Sequence, residues 1–280
     1  MSSLFNGRKI VIATKHHKEK VIGPILENTF KVNCIIAQNF DTDNFGTFTG
    51  EIERLDNPYT VAKNKCLLAM DLNNCDMAIA SEGSFGPHPT LGFVYIDEEI
   101  LVFVDKKNNL EISTRELSLE TNFNGQEVTS EDQLTKFATS IKFPSHGLIL
   151  RKSIIDHTGI LKGITDWELL SKHFKVLKHK YGAAYVETDM RAMYNPTRMK
   201  VIQLAAIKLA EKINTACPFC HVPGYGISAA IPGLTCGQCG FPTKSTIAYE
   251  YKCNSCHASE VIKSPHDKQE DPMFCDFCNP

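Results

Sequence analysis

The sequence predicts an α/β fold, a mixed sheet with flanking helices, followed by a small cysteine-rich domain at the C-terminal end. Short apolar runs of the length of buried strands alternate with amphipathic helical segments up to residue 213. From residue 214 onward the long helices stop and four Cys-x-x-Cys knuckles follow. Apolar content of 42% and charged content of 22% are those of an ordinary globular protein. We therefore expect an α/β ligand-binding or catalytic domain at 1–213 and a zinc-ribbon-like domain at 214–280.

Apolar runs bounded by turn residues predict the strands. In chain order these runs are 9–13, 32–37, 77–80, 91–96, 100–104, 110–113, 147–150 and 183–186. Four helix starts are also marked: Asn57 and Asn195 each precede a proline, whereas Ser130 and Thr165 open capping boxes. A further short helix is expected from about residue 21, after the first strand.

The first predicted strand leads into a polar turn that holds Thr14 and three lysines, among them Lys18. A strand, a basic turn and a helix together can present backbone N–H groups and a lysine to a phosphate. Thr14 and Lys18 are therefore candidate phosphate-binding residues. The alternative is a turn of solvated lysines, because no glycine-rich phosphate loop is present.

The run at 77–80 is followed by Glu82 and then, in the segment SEGSFGPHP, by the two glycines Gly83 and Gly86 and the two prolines Pro87 and Pro89. We expect the strand to stop at Glu82 and the chain to form a tight turn that a ligand can approach closely. Ligands of open α/β sheets bind in the crevice beyond the strand ends. Glu82 is thus a candidate metal ligand or general base, the alternative being a turn residue that accepts backbone N–H bonds.

A second predicted strand, at 183–186, also ends in acidic residues, Glu187 and Asp189. Arg191 and Arg198 follow, and Arg198 stands in the first turn of the helix that begins after Asn195. Carboxylates hold Mg²⁺, whereas arginines and helix N-termini hold phosphate oxygens. These residues predict a second part of the site, the alternative being a salt-bridge network that caps the helix.

The four knuckles supply eight thiolates, enough for two closed tetrahedral zinc sites with a structural role. The eight are Cys217, Cys220, Cys236, Cys239, Cys253, Cys256, Cys275 and Cys278. Two pairings are open: a nested one, with the inner two knuckles as one ribbon and the outer two as the second site, or a sequential one. His221 and His257, directly after knuckles, are interpreted as bystanders.

Charge and targeting signals bound the partners and the location. The net charge of −2 argues against a protein whose whole surface binds nucleic acid or a membrane. Only four lysines and no arginines lie between residues 216 and 280, so nucleic acid is possible but not favoured. No apolar run approaches the length of a membrane span or a signal peptide. We expect a cytoplasmic protein whose remaining cysteines are buried thiols.

Three motifs, SEGSFGPHP, VETDMRAMYNPTRM and the terminal CDFCNP, resemble those of a bacterial family of unknown function. The resemblance covers essentially the whole chain. It implies an N-terminal domain joined to the cysteine-rich tail, and no assigned activity.

A second resemblance, over residues 8–212, is to the inosine/xanthosine triphosphate pyrophosphatases. Strand IVIA with Thr14 and Lys18 is similar to their phosphate-contacting strand and turn, AKNK to their Ala-x-Asn-Arg helix, and IASEG to a strand whose Glu, here Glu82, binds metal. Arg198 stands where that group keeps a late basic residue. The chain departs from the pattern at Lys15, in place of an asparagine, and at Thr60, in place of a glutamate.

The leading hypothesis is a Mg²⁺-dependent hydrolase of a nucleotide or another phosphorylated small molecule. Glu82, Glu187 and Asp189 would hold metal and orient water, and Thr14, Lys18, Arg191 and Arg198 would bind phosphate. The zinc domain would serve as a lid, a docking surface or the contact of a homodimer. The alternative is a non-enzymatic zinc-ribbon protein that binds nucleic acid or a protein partner, with the N-terminal domain as a ligand sensor.

Overall fold

The computed structural model describes residues 2–38, 40, 57–88, 94–156, 158–265 and 268–280. Within it the chain divides into two compact units: residues 2–109 with 113–210, and residues 110–112 with 211–280. The predicted domain boundary at 213/214 is a statement about which part of the chain folds independently, and it stays a prediction.

The first unit contains the mixed sheet that the sequence predicts. Its strands are β1 (Lys9–Ala13), β2 (Asn33–Ile36), β3 (Met77–Pro87), β4 (Tyr95–Asp105) and β5 (Leu110–Ser118, whose first three residues are grouped with the second unit), in the order β2-β1-β3-β4-β5. Strand β1 is parallel to both β2 and β3, whereas β3 and β4 are antiparallel. The α/β class with a mixed sheet and flanking helices is therefore confirmed.

Helices cover both faces of this sheet. α1 (Ser2–Phe5) and α2 (Glu19–Phe30) are joined by an edge-to-face contact of Phe5 and Phe30, and Phe5 also packs on Phe103 of β4. α3 (Pro58–Asn73) lies on the opposite face of the sheet, where its buried residues, including Cys66, pack against β1, β3 and β4. Burial of these apolar side chains is the main source of stability for the layer.

A second sheet, which the sequence did not predict as a separate layer, lies in the same unit. It consists of β6 (Gly125–Val128), β7 (Leu148–Arg151), β8 (Leu161–Ile164) and β9 (Ala184–Thr188), in the antiparallel order β6-β9-β7-β8. α4 (Glu131–Ser140) and α5 (Trp167–Tyr181) contribute to its core. Strands β6 and β8 escape the sequence pattern because each buries a single residue, Val128 and Ile164.

The predicted helix starts agree with the structure in three of four places. Asn57 Oδ1 accepts the Thr60 N–H and Ser130 Oγ accepts the Gln133 N–H. Asn195 Oδ1 accepts the N–H of Arg198, in the first turn of α6 (Pro196–Asn214). The fourth prediction is wrong by one residue: Asp166 caps α5, because its carboxylate and not the Thr165 hydroxyl reaches the Leu169 N–H.

The predicted turn at Glu82 is wrong. Strand β3 runs on to Pro87, and residues 77–87 pair in register with residues 95–105 of β4. The cross-strand ladder satisfies the backbone groups that a turn would have left to a ligand. The two predicted strands at 91–96 and 100–104 are likewise one strand, β4, although residues 91–93 lie outside the described part. Glu82 is therefore a mid-strand residue.

The second unit is built on a three-stranded antiparallel sheet. β10 (Gly226–Pro232), β11 (Thr246–Lys252) and β12 (Ser259–Lys263) are neighbours in sequence order. One cysteine knuckle precedes β10, one follows each strand, and each strand reverses the direction of the chain. Among the described residues, no helix in either unit combines the length and the apolar character that a bilayer crossing requires.

Candidate functional site

The eight knuckle cysteines form two compact clusters in the second unit. One holds Cys217, Cys220, Cys253 and Cys256, and the other holds Cys236, Cys239, Cys275 and Cys278. Within each cluster the ligand atoms all lie within 4.8 Å of one another. Sulfur pairs across the knuckles are 3.6–3.7 Å apart in the first cluster and 3.6–3.9 Å in the second. Tetrahedral zinc with Zn–S bonds of about 2.3 Å separates its sulfurs by about 3.8 Å, so each cluster could hold one zinc ion.

The pairing of the knuckles corrects both arrangements that the sequence left open. The first knuckle joins the third and the second joins the fourth, so the order is neither nested nor sequential. The antiparallel sheet is the reason. Since the chain reverses at each strand, alternate knuckles return to the same end of the sheet, and β11, seven residues long, separates the two ends by about 20 Å.

The two histidines that follow knuckles have a backbone role. The His221 N–H donates to the Cys217 carbonyl at 2.9 Å, and the His257 N–H donates to the Cys253 carbonyl at 3.0 Å. Both residues have a left-handed backbone, with φ of 60° and 61°, and Gly240 takes the same place after the second knuckle with φ of 73°. Neither imidazole belongs to a described metal cluster. They close the knuckle turns, in agreement with the interpretation as bystanders.

A buried cluster of charged side chains lies in the first unit, around the part of β3 that extends past the end of β1. Strand β1 ends at Ala13, which pairs with Ala80, so Ser81 and Glu82 lie beyond its carboxyl end. The cluster comprises Lys18, Lys65, Glu82, Asp97, Glu99 and Arg198, each no more than 7% exposed. Such a position is where ligands of open α/β sheets bind.

Glu82 lies on the face of β3 that packs against α3. It follows Ala78 and Ala80, which contact the buried residues of that helix. The Lys65 ammonium of α3 forms an ion pair with Glu82, and the two side chains are 8% and 6% exposed. The AKNK segment therefore supplies a cation to the glutamate of IASEG.

Lys18 approaches β3 from the turn before α2. Its ammonium donates to Ser81 Oγ at 2.8 Å. Burial, together with the nearby charge of Arg198, lowers the pKa of Lys18 to about 8, whereas Glu99 and Glu82 oppose the shift. Thr14, in the same turn, is also buried, and its hydroxyl accepts the His16 N–H at 3.4 Å.

Arg198 crosses from α6 to the other face of β3 and β4. Its Nε donates to Glu99 Oε1 at 2.6 Å, its Nη1 donates to the Met190 carbonyl, and its guanidinium lies 5.1 Å from the centre of the Phe85 ring. Gly83, paired with Glu99, permits this approach: a Cβ there would stand 2.4 Å from Glu99 Oε1 and 2.5 Å from Arg198 Nη2.

Asp97 is the unsatisfied member of the cluster. Its side chain is fully buried, and neither carboxylate oxygen has a hydrogen-bond partner among the described residues. Burial, reinforced by the charge of Glu99, raises the pKa of Asp97 to about 8, against the opposing charges of Arg198 and Lys18. Sequence reasoning missed Asp97 and Glu99. The signal was present in YIDEEILVFVD. The two carboxylates are two residues apart, at the same alternate positions as buried apolar residues, and alternate residues of a strand share one face.

The remaining predicted site residues have partners of their own. Glu187, on β9, forms an ion pair with Arg151 at 2.7 Å. Asp189, fully buried, pairs with Arg191 at 2.6 Å and accepts the Gly163 N–H at 2.9 Å. Their contacts are those of an ion-pair network around the turn that leads into α6. Their assignment to metal and phosphate stays a prediction.

Comparisons with known proteins identify a family and add little else. A family model described as Domain of unknown function (DUF6671) matches residues 65–280, a span that includes Glu82, Asp97 and Arg198 but not Lys18. No curated protein sequence matches the chain. The crystal structure of protein VC0702 from Vibrio cholerae is similar over 73% of this chain and 93% of that chain, at 12% identity and a TM-score of 0.32. A similarity this low assigns neither a fold nor a function. These matches give no support to the resemblance to the pyrophosphatases.

Proposed function

This chain belongs to the family described as Domain of unknown function (DUF6671), whose description assigns no activity, and from its buried charged cluster we propose a Mg²⁺-dependent hydrolase of a nucleotide or another phosphorylated small molecule. One observation carries the proposal. Three buried cationic side chains, Lys18, Lys65 and Arg198, converge on the segment of β3 that extends past the end of β1.

One buried cation of the cluster, Lys18, has no carboxylate partner among the described hydrogen bonds, which favours an anionic ligand. Burying a charge is costly unless an opposite charge compensates it. Lys65 is compensated by Glu82 and Arg198 by Glu99, but Lys18 donates only to the neutral Ser81 hydroxyl among the described hydrogen bonds. A phosphate group at Lys18 would provide the missing negative charge, and Arg198 would contribute a second cation.

Both faces of β3 can serve one ligand at this point. Alternate side chains of a strand point to opposite faces, so Glu82 and Ser81 diverge. Beyond Ala13 the pairing of β3 with β1 ends, and the edge of β3 is open to side chains from both faces. The charges of Arg198, Glu99, Glu82 and Lys65 all act on Lys18, which makes the cluster one electrostatic unit.

We assign roles from these contacts. Lys18 and Arg198 bind phosphate oxygens and neutralise the charge that develops there. Glu82, held in place by Lys65, orients the attacking water. Mg²⁺ would polarise the phosphate and lower the pKa of bound water. Asp189 and Arg191 position the turn whose Met190 carbonyl accepts from Arg198, and the zinc clusters stabilise the second unit.

The test is a turnover screen of the full-length, zinc-loaded chain. Nucleoside mono-, di- and triphosphates and simple phosphate esters are assayed for phosphate and pyrophosphate release, with and without Mg²⁺. We expect Mg²⁺-dependent release from at least one class, with a loss of at least about 100-fold in kcat/KM for Lys18→Met and for Arg198→Lys. Lys106→Met is the matched control, because that lysine pairs with Asp71 on the surface. No release from any class by folded protein would refute the proposal.

A second candidate, a non-enzymatic binding protein, is favoured by one feature of the second unit. The Phe241 and Phe277 rings stack at 5.2 Å, although the residues are 55% and 69% exposed. Exposed aromatic pairs are common in protein interfaces. Residues 211–280 contain five lysines and seven acidic residues, which favours a protein over nucleic acid. Capture of one partner by the wild type but not by Phe277→Ser, together with no turnover, would support this candidate.

A further inference from the structure

Strand β4 carries two buried carboxylates whose oxygens are not satisfied within the described structure. Asp97 and Glu99 are both fully buried, and neither oxygen of Asp97 nor Oε2 of Glu99 has a hydrogen-bond partner among the described residues. Asp105, on the same strand and also fully buried, shows the contrast. Its two oxygens accept from Arg8 at 2.6 and 2.8 Å and also from Asn108.

Buried carboxylates in proteins are paired, hydrogen-bonded or bound to a metal, because an isolated charge in a low-dielectric interior is strongly disfavoured. Residues two apart on a strand share a face, and their Cα atoms are separated by about 7 Å. Two carboxylates at this spacing can reach one cation between them. Arg198 Nε holds Glu99 Oε1, which leaves Oε2 as the oxygen available to a cation.

We infer that Asp97 and Glu99 form a divalent-cation site that takes Mg²⁺ or Mn²⁺. The donors are all carboxylate oxygens, the set that hard cations prefer, and they contain no thiolate or imidazole that would select zinc. A Mg²⁺ site built from one or two carboxylates normally completes its coordination with water and with phosphate oxygens of a ligand. The use of this cation in phosphate chemistry rests on the function proposed above, whereas its binding does not.

The neighbouring cations give the site a further property. Lys18 and Arg198 act electrostatically on Asp97, so they oppose a bare cation but attract a phosphate that bridges to it. We therefore expect inorganic phosphate to strengthen Mn²⁺ binding several-fold. By linkage, Mn²⁺ should strengthen phosphate binding by the same factor.

The experiment measures Mn²⁺ binding to the full-length, zinc-loaded protein by electron paramagnetic resonance of free Mn²⁺, without any substrate. The wild type should bind one Mn²⁺ that Mg²⁺ displaces, and Asp97→Asn should weaken the affinity at least about tenfold, since a neutral amide is a poor ligand for a hard cation. Glu98→Gln is the matched control. Glu98 lies between the two residues, on the opposite face of β4, and interacts with Arg115 and Ser84. This variant should keep wild-type affinity.

Thermal unfolding shows first that each variant is folded, and Asp97→Ser replaces Asp97→Asn if the latter is not. Absence of saturable Mn²⁺ binding in the wild type, or equal weakening by Glu98→Gln and Asp97→Asn, overturns the inference. Mn²⁺ binding that Asp97→Asn removes, in a protein without hydrolase activity, supports the cation site and refutes the proposed function. Mg²⁺-dependent hydrolysis that Asp97→Asn leaves unchanged supports the function and overturns the site.

Discussion

Arg198 and Glu99, 99 residues apart in the chain, form a fully buried ion pair with Nε and Oε1 at 2.6 Å. The pair connects the first turn of α6 to the middle of β4. It also brings the guanidinium over Phe85 and within reach of the Met190 carbonyl. The charge of Arg198 also acts on two other members of the cluster, since it lowers the pKa of both Lys18 and Asp97.

The first prediction concerns the close approach at Gly83. Gly83→Ala places a Cβ within 2.5 Å of both members of the Arg198–Glu99 pair and should lower the free energy of unfolding by about 1–3 kcal/mol. Gly86→Ala, on the same strand, is the control, since a Cβ there meets nothing within 4 Å, and it should change stability by less than about 0.5 kcal/mol. Urea denaturation measures both. Equal effects would mean that the close approach does not constrain position 83.

The second prediction concerns the Lys65–Glu82 pair. Glu82→Gln leaves a buried ammonium without its counter-charge and should cost about 3–5 kcal/mol of unfolding free energy. The double substitution Lys65→Met with Glu82→Leu removes both charges and should recover most of that loss. Asp71→Asn, which breaks the exposed pair with Lys106, should cost less than about 1 kcal/mol. Additive losses in the double variant would show that the two side chains are not coupled.

The third prediction concerns the pH dependence of stability. The pKa of Lys18 is about 8 in the folded protein and about 10.5 in the unfolded chain, so between these values the folded state binds fewer protons. The free energy of unfolding therefore rises with pH across that window. Below about pH 8, Lys18 is charged in both states and its burial destabilises the folded protein to the full extent. Lys18→Met should be more stable than the wild type at pH 7.5, and that advantage should shrink as the pH rises above about 8 and disappear only above about pH 10.5. An advantage independent of pH, measured by urea denaturation, would contradict the assignment.

The fourth prediction tests the pairing of the knuckles. Cys217→Ser with Cys253→Ser damages one cluster only, so about one zinc ion per chain should survive dialysis against a chelator. Cys217→Ser with Cys236→Ser damages both clusters and should leave none. Sequential pairing reverses these two results, and nested pairing leaves no zinc in either variant. Elemental analysis of the purified proteins distinguishes the three arrangements, and the wild type should hold two ions.

Signals within a few residues of one another were sufficient to predict many of the local features. The first strand, Lys9–Ala13, is bounded as predicted because four consecutive apolar residues follow Lys9 and a polar turn ends the run. Asn57, Ser130 and Asn195 cap their helices because a cap bonds only to N–H groups in the next turn. The four cysteine knuckles were recognisable for the same reason, since each knuckle is a turn that closes on itself.

Tertiary structure alone decided which of these local features meet. The first knuckle pairs with the third and the second with the fourth, because three antiparallel strands return the chain to the same end of the sheet at every second turn. The sequence spacing between the knuckles does not show where the chain reverses. In the same way, Glu82 is a mid-strand residue because β4 pairs with β3 as far as Pro87, a contact that the turn-like residues after Glu82 did not reveal. Glu99 pairs with Arg198 only because the fold brings the first turn of α6 to β4, and a buried charge depends on such long-range neighbours for its compensation.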